Sequence, residues 1–284
     1  MTKPGGVKVL DTAAATQVVG ELHFPEALRW HNGELWFSDI FGGTVSRMQQ
    51  GRARPFADID GLPSGIGWMP DGTLLVVSME RRAVVAVGSD GRQRVHADLS
   101  HIMDQFANDM VVDAVGRAYV GNYGFDVDAG APVEPTRLVR IDPDGSVHVE
   151  TPEVIFPNGM VLVDDGRTLL VAETLGDRVT ALDVAADGGL GNPQVVATFP
   201  PGSGPDGICT DAWGRVWVPC AYGGKVVAVE RDGTAAMEIP LPDECVTCCA
   251  TDDEDGHTLY VALAPLDESE AARVKRGRIL AFAL

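Results

Sequence analysis

The stretch FPNGMVLVDDGRTLLVAET, residues Phe156 to Thr174, determines how the rest of the chain is interpreted. It begins with a short polar hinge at Asn158 and continues as a run of apolar and small residues. A turn at Asp164-Asp165-Gly166 follows, and a second strand-like run comes after the turn. This order of segments is typical of two antiparallel β-strands joined by a hairpin.

Five further segments repeat this pattern. They are FPEALRWHNGELWFSDI from Phe24, LPSGIGWMPDGTLLVVS from Leu62, FANDMVVDAVGRAYVGN from Phe106, GPDGICTDAWGRVWVPC from Gly204 and CVTCCATDDEDGHTLYVAL from Cys245. The hinge residues are Glu26, Ser64 (or Gly65), Asn108, Asn158, Asp206 and Thr247, separated by 38, 44, 50, 48 and 41 positions. A repeat of this length with four short strands per unit is typical of a β-propeller blade.

The six copies predict an all-β fold, a six-bladed β-propeller with four-stranded antiparallel blades that forms one domain over residues 1–284. A β-sandwich is the alternative, but it would not produce six related copies. Two N-terminal segments, 7–10 and 17–19, are strand-like, and one of them is expected to pair with 278–283 and close the ring. The loop 122–136 is long enough to form a lid over one face.

The composition indicates a globular protein, with 45% hydrophobic and 22% charged residues among 284. The formal net charge of −19 makes nucleic acids and anionic membranes poor partners, because their phosphates would be repelled. The N-terminus lacks the apolar core of a signal peptide, and no run of about 18 apolar residues is present. A cytoplasmic location is therefore expected.

The cysteines do not form a recognisable framework. There are five of them, and three are clustered at Cys245, Cys248 and Cys249. Cys245 and Cys248 have a C-x-x-C spacing, but a second pair that would complete a zinc site is missing from the sequence. Small, buried residues on strands are the expected role of these cysteines.

Four hinge residues carry side-chain oxygens that could meet at one place. Glu26, Asn108, Asn158 and Asp206 each lie ten residues before the start of the second strand of their repeat. They are thus expected to open the innermost strands, which converge on the central channel. An ordinary hairpin turn is the alternative for Asn158-Gly159 and Asp206-Gly207. The usual turns, however, come later in each repeat, for example at Gly166 and Gly214.

Two carboxylates and two carboxamides around one channel suit a hard divalent cation. Without a cation, the carboxylates Glu26 and Asp206 would repel each other and one would be protonated. Calcium is the first candidate, and magnesium, manganese or zinc can also occupy oxygen sites. The alternative is that these polar residues only solvate a channel.

A bound cation would polarise a carbonyl or phosphoryl oxygen and lower the pKa of water. Asp206 could bind the ion with one oxygen and take a proton from water with the other. These properties favour hydrolysis of an ester-like bond. The motifs of other chemistries, G-x-x-x-x-G-K, G-x-G-x-x-G before a helix, G-x-S-x-G and H-E-x-x-H, are missing from the sequence.

The repeat segments carry a family resemblance that extends from Phe24 to Leu284. Taken together and in order, they resemble the gluconolactonase, regucalcin and luciferin-regenerating-enzyme family, on the motifs FPEALRW, FANDMVVDAVGR, FPNGM, GPDGICTDAWGRVWV and CVTCCA followed by LYVA. The resemblance implies a six-bladed propeller and a metal-dependent lactone hydrolase. It also implies metal ligands at Glu26, Asn158 and Asp206, a substrate-side asparagine at Asn108, and a general base at Asp206. A small lactone or ester is then the expected partner.

Two departures from the family pattern concern the substrate. Sugar-lactone members carry an arginine where this chain has Phe106, and acidic residues where it has Asn122 to Asp126. Phe106, Asn122, Tyr123 and Phe125 are therefore predicted to face a less polar lactone or ester, although Phe106, Tyr123 and Phe125 could also be plain packing residues. The hinge set also resembles that of calcium-dependent phosphotriesterase and paraoxonase (arylesterase) propellers. A non-enzymatic binding propeller with a structural ion and a strictosidine-synthase-like enzyme are further alternatives.

Overall fold

A computed structural model describes residues 6–127, 129–252 and 256–284. The chain forms six sheets, each of which contains four antiparallel strands, arranged in a ring as a six-bladed β-propeller. The prediction of fold class is confirmed. Within the described residues, no helix has the length and apolar character needed to cross a bilayer.

The N-terminal strands and the first three blades follow one another in chain order. The N-terminal strands are β1 (Lys8–Val9) and β2 (Thr16–Leu22). Blade one comprises β3 (Pro25–His31), β4 (Glu34–Asp39), β5 (Thr44–Gln49) and β6 (Arg52–Asp58). Blade two comprises β7 (Pro63–Trp68), β8 (Leu74–Ser78), β9 (Ala83–Val87) and β10 (Gln93–Asp98). Blade three comprises β11 (Ala107–Val112), β12 (Ala118–Asn122), β13 (Thr136–Ile141) and β14 (Val147–Val154).

The remaining blades complete the ring. Blade four comprises β15 (Pro157–Val163), β16 (Thr168–Glu173), β17 (Arg178–Val184) and β18 (Leu190–Thr198). Blade five comprises β19 (Cys209–Thr210), β20 (Val216–Cys220), β21 (Lys225–Val229) and β22 (Ala235–Pro240). Blade six comprises β23 (Cys245–Thr251), β24 (Thr258–Ala264), β25 (Gly277–Ala283) and the N-terminal β2. The helical segments are α1 (Glu268–Ala271) and the 3₁₀ turns Thr12–Ala14 and Thr174–Gly176.

Both N-terminal strands pair with strands of the last two blades. β2 pairs antiparallel with β25, which confirms the expected closure between the N- and C-terminal strands. The pairing of β1 was not predicted from the sequence. It pairs in parallel with β22 and adds a fifth strand to blade five. The N-terminal segment therefore bridges blades five and six, and covers an outer edge that would otherwise carry unpaired backbone groups.

Apolar side chains fill the spaces between neighbouring blades. Trp217, Tyr119 and Phe37 are among the largest fully buried side chains, and each belongs to a different inter-blade cluster. The cysteines Cys245, Cys248 and Cys249 are buried on β23, and all five cysteines are free thiols. Their predicted role as small buried residues is thus confirmed for this cluster.

The innermost strands approach one another so closely that some positions require glycine. A Cβ atom on Gly159 of β15 would lie 2.4 Å from the Ile208 backbone nitrogen and 2.5 Å from the Asp206 carbonyl oxygen. A Cβ atom on Gly207 would lie 2.3 Å from Cβ of Cys248. Because these neighbours are backbone or short side chains, they cannot move aside easily. The glycines after the hinges of blades four and five therefore allow neighbouring innermost strands to pack closely.

We expect Gly159→Ala to lower the free energy of unfolding by about 3 kcal/mol, because overpacking against fixed backbone strains the inner strands. In a domain of this size, the loss corresponds to a melting temperature about 6–12 °C lower. Gly191→Ala is a matched control, because a Cβ atom there meets nothing within 4 Å. Urea and thermal melts would measure both variants. Equal stability of the two variants would contradict the close-packing argument.

Candidate active site

Each innermost strand contains one extra residue at its hinge. In β3, Glu26 pairs with Ser38 and Arg29 with Trp36, so three steps on β3 face two on β4. The same one-residue excess occurs between 63 and 66, 107 and 110, 157 and 160, and 246 and 248. In blade five the regular strand is reduced to Cys209–Thr210, and the bridge between Pro205 and Cys220 leaves the same excess around Asp206. Such β-bulges redirect side chains, and here they act on every hinge residue.

The four predicted ligand residues are buried but retain some access to solvent. Glu26, Asn108, Asn158 and Asp206 are 5–8% exposed. Glu26, Asn108 and Asn158 lie at the starts of their strands, as predicted, each in the second position, whereas Asp206 precedes the shortened β19. Neighbouring first strands contact one another around the ring, so these residues belong to one central layer.

Hydrogen bonds fix the orientation of the Asn158 carboxamide. Its Nδ2 donates to the Thr174 hydroxyl at 3.2 Å, and that hydroxyl donates to the Pro205 carbonyl at 2.9 Å. Because the hydroxyl proton goes to Pro205, the hydroxyl oxygen must accept from the amide nitrogen. Oδ1 is then the Asn158 atom left for a ligand.

The carboxamide of Asn108 is oriented in a similar way. Its Nδ2 donates to the Pro157 carbonyl at 3.2 Å, and a carbonyl oxygen can only accept. Its Oδ1 is therefore also the atom that remains for a ligand. Asn108 and Thr174 each bond to the residue that precedes the next hinge, and so does Thr247, which donates to the Pro25 carbonyl at 2.6 Å. These bonds tie neighbouring blades together at the level of the hinge residues.

The two carboxylates act on each other. Burial raises the pKa of Glu26 to about 8, with the charge of Asp109 as the next contribution. Burial also raises the pKa of Asp206 well above its ordinary value, and the charges of Glu26 and Asp109 add to this effect. Oδ1 of Asp206 is buried and lacks a hydrogen-bond partner within the described chain. Burial and the neighbouring carboxylates therefore disfavour the charged forms of both Glu26 and Asp206.

An ion pair that the sequence did not reveal lies beside these carboxylates. Arg29 Nη2 donates to both Asp109 oxygens, at 2.9 and 3.0 Å, and to the Met110 carbonyl at 2.9 Å. The pair joins blade one to blade three. It passes Gly65 of blade two, where a Cβ atom would lie 2.7 Å from Asp109 Oδ1. Asp109 thus has its own cation, while Glu26 and Asp206 share none of comparable closeness in the described residues.

The residues present fit a hard divalent cation. An orphaned carboxylate oxygen, a second carboxylate whose pKa is raised, and two carboxamides whose nitrogens are engaged supply oxygen donors only. In the described ranges, there is no cluster of three or more His, Cys, Asp or Glu residues arranged to hold a metal. A cation at this centre would therefore depend on the carboxamide oxygens as well as on the two carboxylates.

The predicted substrate-facing residues have different surroundings. Phe106 and Tyr123 lie close together, with ring centroids 5.7 Å apart, and Tyr123 stacks on Phe156 at 4.4 Å. Asn122, by contrast, uses both amide atoms within its own blade: Nδ2 donates to the Arg137 carbonyl at 2.9 Å, and Oδ1 accepts from Thr136 at 2.7 Å. The substrate contact of Asn122 stays a prediction.

The loop between β12 and β13 was a candidate lid. Its Phe125 is buried and packs edge-on against Phe156 at 6.3 Å, which holds the start of the loop against blade four. Position 128 of this loop lies outside the described residues. The role of a lid stays a prediction.

Thr174, Asp109 and Arg29 belong to the site but were not singled out from sequence. Thr174 lies sixteen positions after Asn158, directly after the second strand of the repeat, and no motif marks it as the partner of that residue. Asp109 directly follows the hinge residue Asn108, where the other repeats have a small residue such as Gly159 or Gly207. That departure from the repeat was the available signal.

Comparisons with known proteins identify related sequences and structures. The family described as "SMP-30/Gluconolactonase/LRE-like region" matches residues 24–265. Pentonolactonase XacC of Haloferax volcanii is 31% identical over 251 residues, which cover 86% of this chain and 82% of that protein. Regucalcin of Danio rerio is 31% identical over 172 residues, covering 60% of this chain and 58% of that protein.

Solved structures show the same fold at lower identity. A calcium-binding regucalcin from Agrobacterium tumefaciens superimposes with a TM-score of 0.79 at 21% identity, covering 98% of this chain and 95% of that one. A catalytically inactive virginiamycin B lyase from Staphylococcus aureus superimposes with a TM-score of 0.64 at 17% identity, covering 92% of this chain and 80% of that one. Because a lyase shares the fold, the fold alone does not identify the reaction.

Proposed function

The chain belongs to the SMP-30/Gluconolactonase/LRE-like family, and from this membership we propose that it is a divalent-metal-dependent hydrolase that opens a lactone. The family and the similarity to a pentonolactonase support lactone hydrolysis. Glu26, Asn158 and Asp206 would hold the cation, with Asn108 beside them on the substrate side. A regucalcin relative of the same fold is a calcium-binding protein, so calcium is the first candidate, followed by zinc, manganese and magnesium.

One observation carries the metal proposal. Asp206 Oδ1 is buried without a hydrogen-bond partner in the described structure, next to a second carboxyl group that raises its pKa. An unpaired buried carboxylate costs several kcal/mol unless a cation compensates it. A divalent cation would satisfy this oxygen and remove the conflict with Glu26.

The protein's own residues would then perform three tasks. Asn108, whose carboxamide is held by Pro157, would orient the lactone. Asp206 would accept a proton from the attacking water and later return it to the ring oxygen, so that the water is divided between the acyl carbon and the leaving oxygen. Glu26 and Asn158 would hold the cation in place. When bound, the cation supplies Lewis-acid polarisation of the carbonyl and a lowered pKa of water.

Removal of metal should abolish hydrolysis. We expect treatment with EDTA followed by desalting to lower hydrolysis of a lactone panel at least about 100-fold, and calcium to restore it, because the cation supplies several kcal/mol of charge stabilisation. The melting temperature should fall as well, since a ligand at 100 times its Kd stabilises by about 2.7 kcal/mol. Elemental analysis would follow the metal content.

The same experiment separates the alternatives. Loss of stability without hydrolysis of any lactone or phosphotriester, whichever of the four metals is added, would identify a binding propeller with a structural ion. Hydrolysis of phosphotriesters alone would indicate the phosphotriesterase-like alternative. Full activity in demonstrably metal-free protein would contradict the metal proposal.

A further inference from the structure

The residues two positions before each hinge lie at the starts of the innermost strands. Four of them directly precede the innermost strands of blades one to four, and one begins the innermost strand of blade six, so they lie next to the oxygen-bearing layer, at the strand starts. The six positions are occupied by Phe24, Leu62, Phe106, Phe156, Gly204 and Cys245. Five of the six are apolar side chains, and the sixth is glycine.

Most of these residues take part in one apolar cluster. Phe24 and Cys245 belong to one apolar cluster, against which Leu62, Phe106 and Tyr123 pack. The cluster draws on blades one, two, three, five and six. Tyr123 connects it to blade four through its stacking on Phe156 at 4.4 Å. Apolar, largely aromatic side chains therefore surround the strand-start end of the channel, and we call them the rim.

The glycine position of the rim is filled from elsewhere by an aromatic ring. A Cβ atom on Gly204 would lie 2.6 Å from Cδ2 of Tyr222, which belongs to the turn after β20. Tyr222 is 57% exposed and thus available to a ligand at the mouth. With Tyr222 included, every blade contributes an apolar or aromatic group to the rim.

The charges around the centre disfavour an anionic substrate. The side-chain charges that raise the pKa of Asp206 are those of Glu26, Asp109 and Glu268, all of which are negative. Arg29, the cation that acts on Glu26, is paired with Asp109 at 2.9 Å. In the part of the chain that the structure describes, a carboxylate or phosphate on the substrate would find no free cationic partner in this group. The net charge of −19 would add repulsion.

We propose that the substrate is an uncharged lactone that carries an alkyl or aryl substituent, with the substituent held against the aromatic rim and the ring carbonyl at the oxygen layer. This inference rests on the proposed lactone hydrolysis and adds the class of substrate. A rim of phenyl and phenol rings buries methylene or aryl groups favourably, whereas ring hydroxyl groups would lose water without gaining partners. Polyhydroxylated sugar lactones are thus poor substrates.

A comparison of lactones with equal ring size tests the inference. The calcium-loaded protein would be assayed with δ-decalactone, unsubstituted δ-valerolactone and glucono-δ-lactone. We expect kcat/KM for δ-decalactone to exceed that for each of the others by about 100-fold, because its five-carbon side chain is buried against the rim. The corresponding alkyl-substituted δ-lactam, which resists hydrolysis, should bind to metal-free protein in saturation-transfer NMR, with contacts to aromatic protons.

Variants of the rim provide the second arm. Phe106→Ala should lower kcat/KM for δ-decalactone about 10-fold through KM, and leave kcat/KM for δ-valerolactone within about twofold, since only the side chain of the substrate loses contact. Phe56→Ala is the matched control. This phenylalanine packs against Trp36 at 5.1 Å on the outer strand β6, away from the rim. The control should preserve the preference.

The outcomes are distinguishable. A preference for δ-decalactone that Phe106→Ala removes and Phe56→Ala preserves would support the inference. Equal or faster hydrolysis of glucono-δ-lactone would overturn the substrate class and leave lactone hydrolysis standing. Failure to hydrolyse any lactone under every metal condition would overturn the proposed function, and the inference with it.

Discussion

Asp206→Asn is expected to reduce kcat/KM for lactone hydrolysis by at least about 1000-fold while the protein remains folded. Removal of a general acid–base group costs about 100- to 10,000-fold, and Asp206 is also proposed to hold the cation. The change removes one charge without altering the size of the side chain. Because the buried Oδ1 of Asp206 lacks a partner in the described structure, a neutral amide should not destabilise the cation-free protein. Hydrolysis rates and thermal melts of metal-free and calcium-loaded protein would measure both effects.

Ser64→Ala is the matched control for this variant. Ser64 occupies the hinge position of blade two and is 1% exposed, but it is not among the proposed ligands. Its truncation should keep activity within a few-fold of the wild type. If Asp206→Asn retained even a tenth of the activity, neither the proton transfer nor the cation ligation assigned to Asp206 could stand.

The second large effect concerns cation affinity and its dependence on pH. The pKa of Glu26 is raised to about 8, so that near pH 7 the cation must displace a proton. We expect the affinity for calcium to increase as pH rises from about 7 to 9, because less of the carboxyl is protonated. Calorimetric titrations in buffers of different ionisation enthalpy would show proton release on binding at pH 7, and less release at pH 9.

Glu26→Gln should weaken calcium binding by about 100-fold or more, since one of two anionic ligands becomes neutral. It should also lower the pKa of Asp206, because the charge of Glu26 is the first charge that raises it. The pH dependence of affinity should therefore become shallower in this variant. The same affinity at pH 7 and pH 9 in the wild type would contradict the coupled-carboxylate description of the site.

The repeat predicted the fold because the same order of hinge, strand, turn and strand occurs six times in the chain. The ten-residue distance from each hinge to the second strand kept Glu26, Asn108 and Asn158 at the starts of innermost strands, where the structure has them. Closure of the ring by an N-terminal strand followed from the need to cover edges, but the sequence left open which of two segments supplies that strand. The parallel pairing of β1 with β22 did not follow, because it joins Lys8 to Met237 and leaves no periodic pattern in either segment.

The supporting contacts of the site were beyond sequence for similar reasons. The Arg29–Asp109 pair spans 80 positions and depends on the missing side chain at Gly65. Tyr222 reaches the rim only because Gly204 leaves space for its ring. The helix α1 has only four residues, too few to show a helical period. The ion pair and the position of Tyr222 both depend on packing between residues distant in the chain, which a strand pattern does not show.

The bulge that recurs in all six innermost strands makes the centre modular. Six equivalent hinge positions surround one axis, and two of them hold the hydroxyl residues Ser64 and Thr247. An aspartate at the hinge position of blade two, for instance, would add an oxygen donor without a change in the strands. Single substitutions at the hinge positions can therefore change ion preference and chemistry, while the propeller that carries these residues keeps its structure.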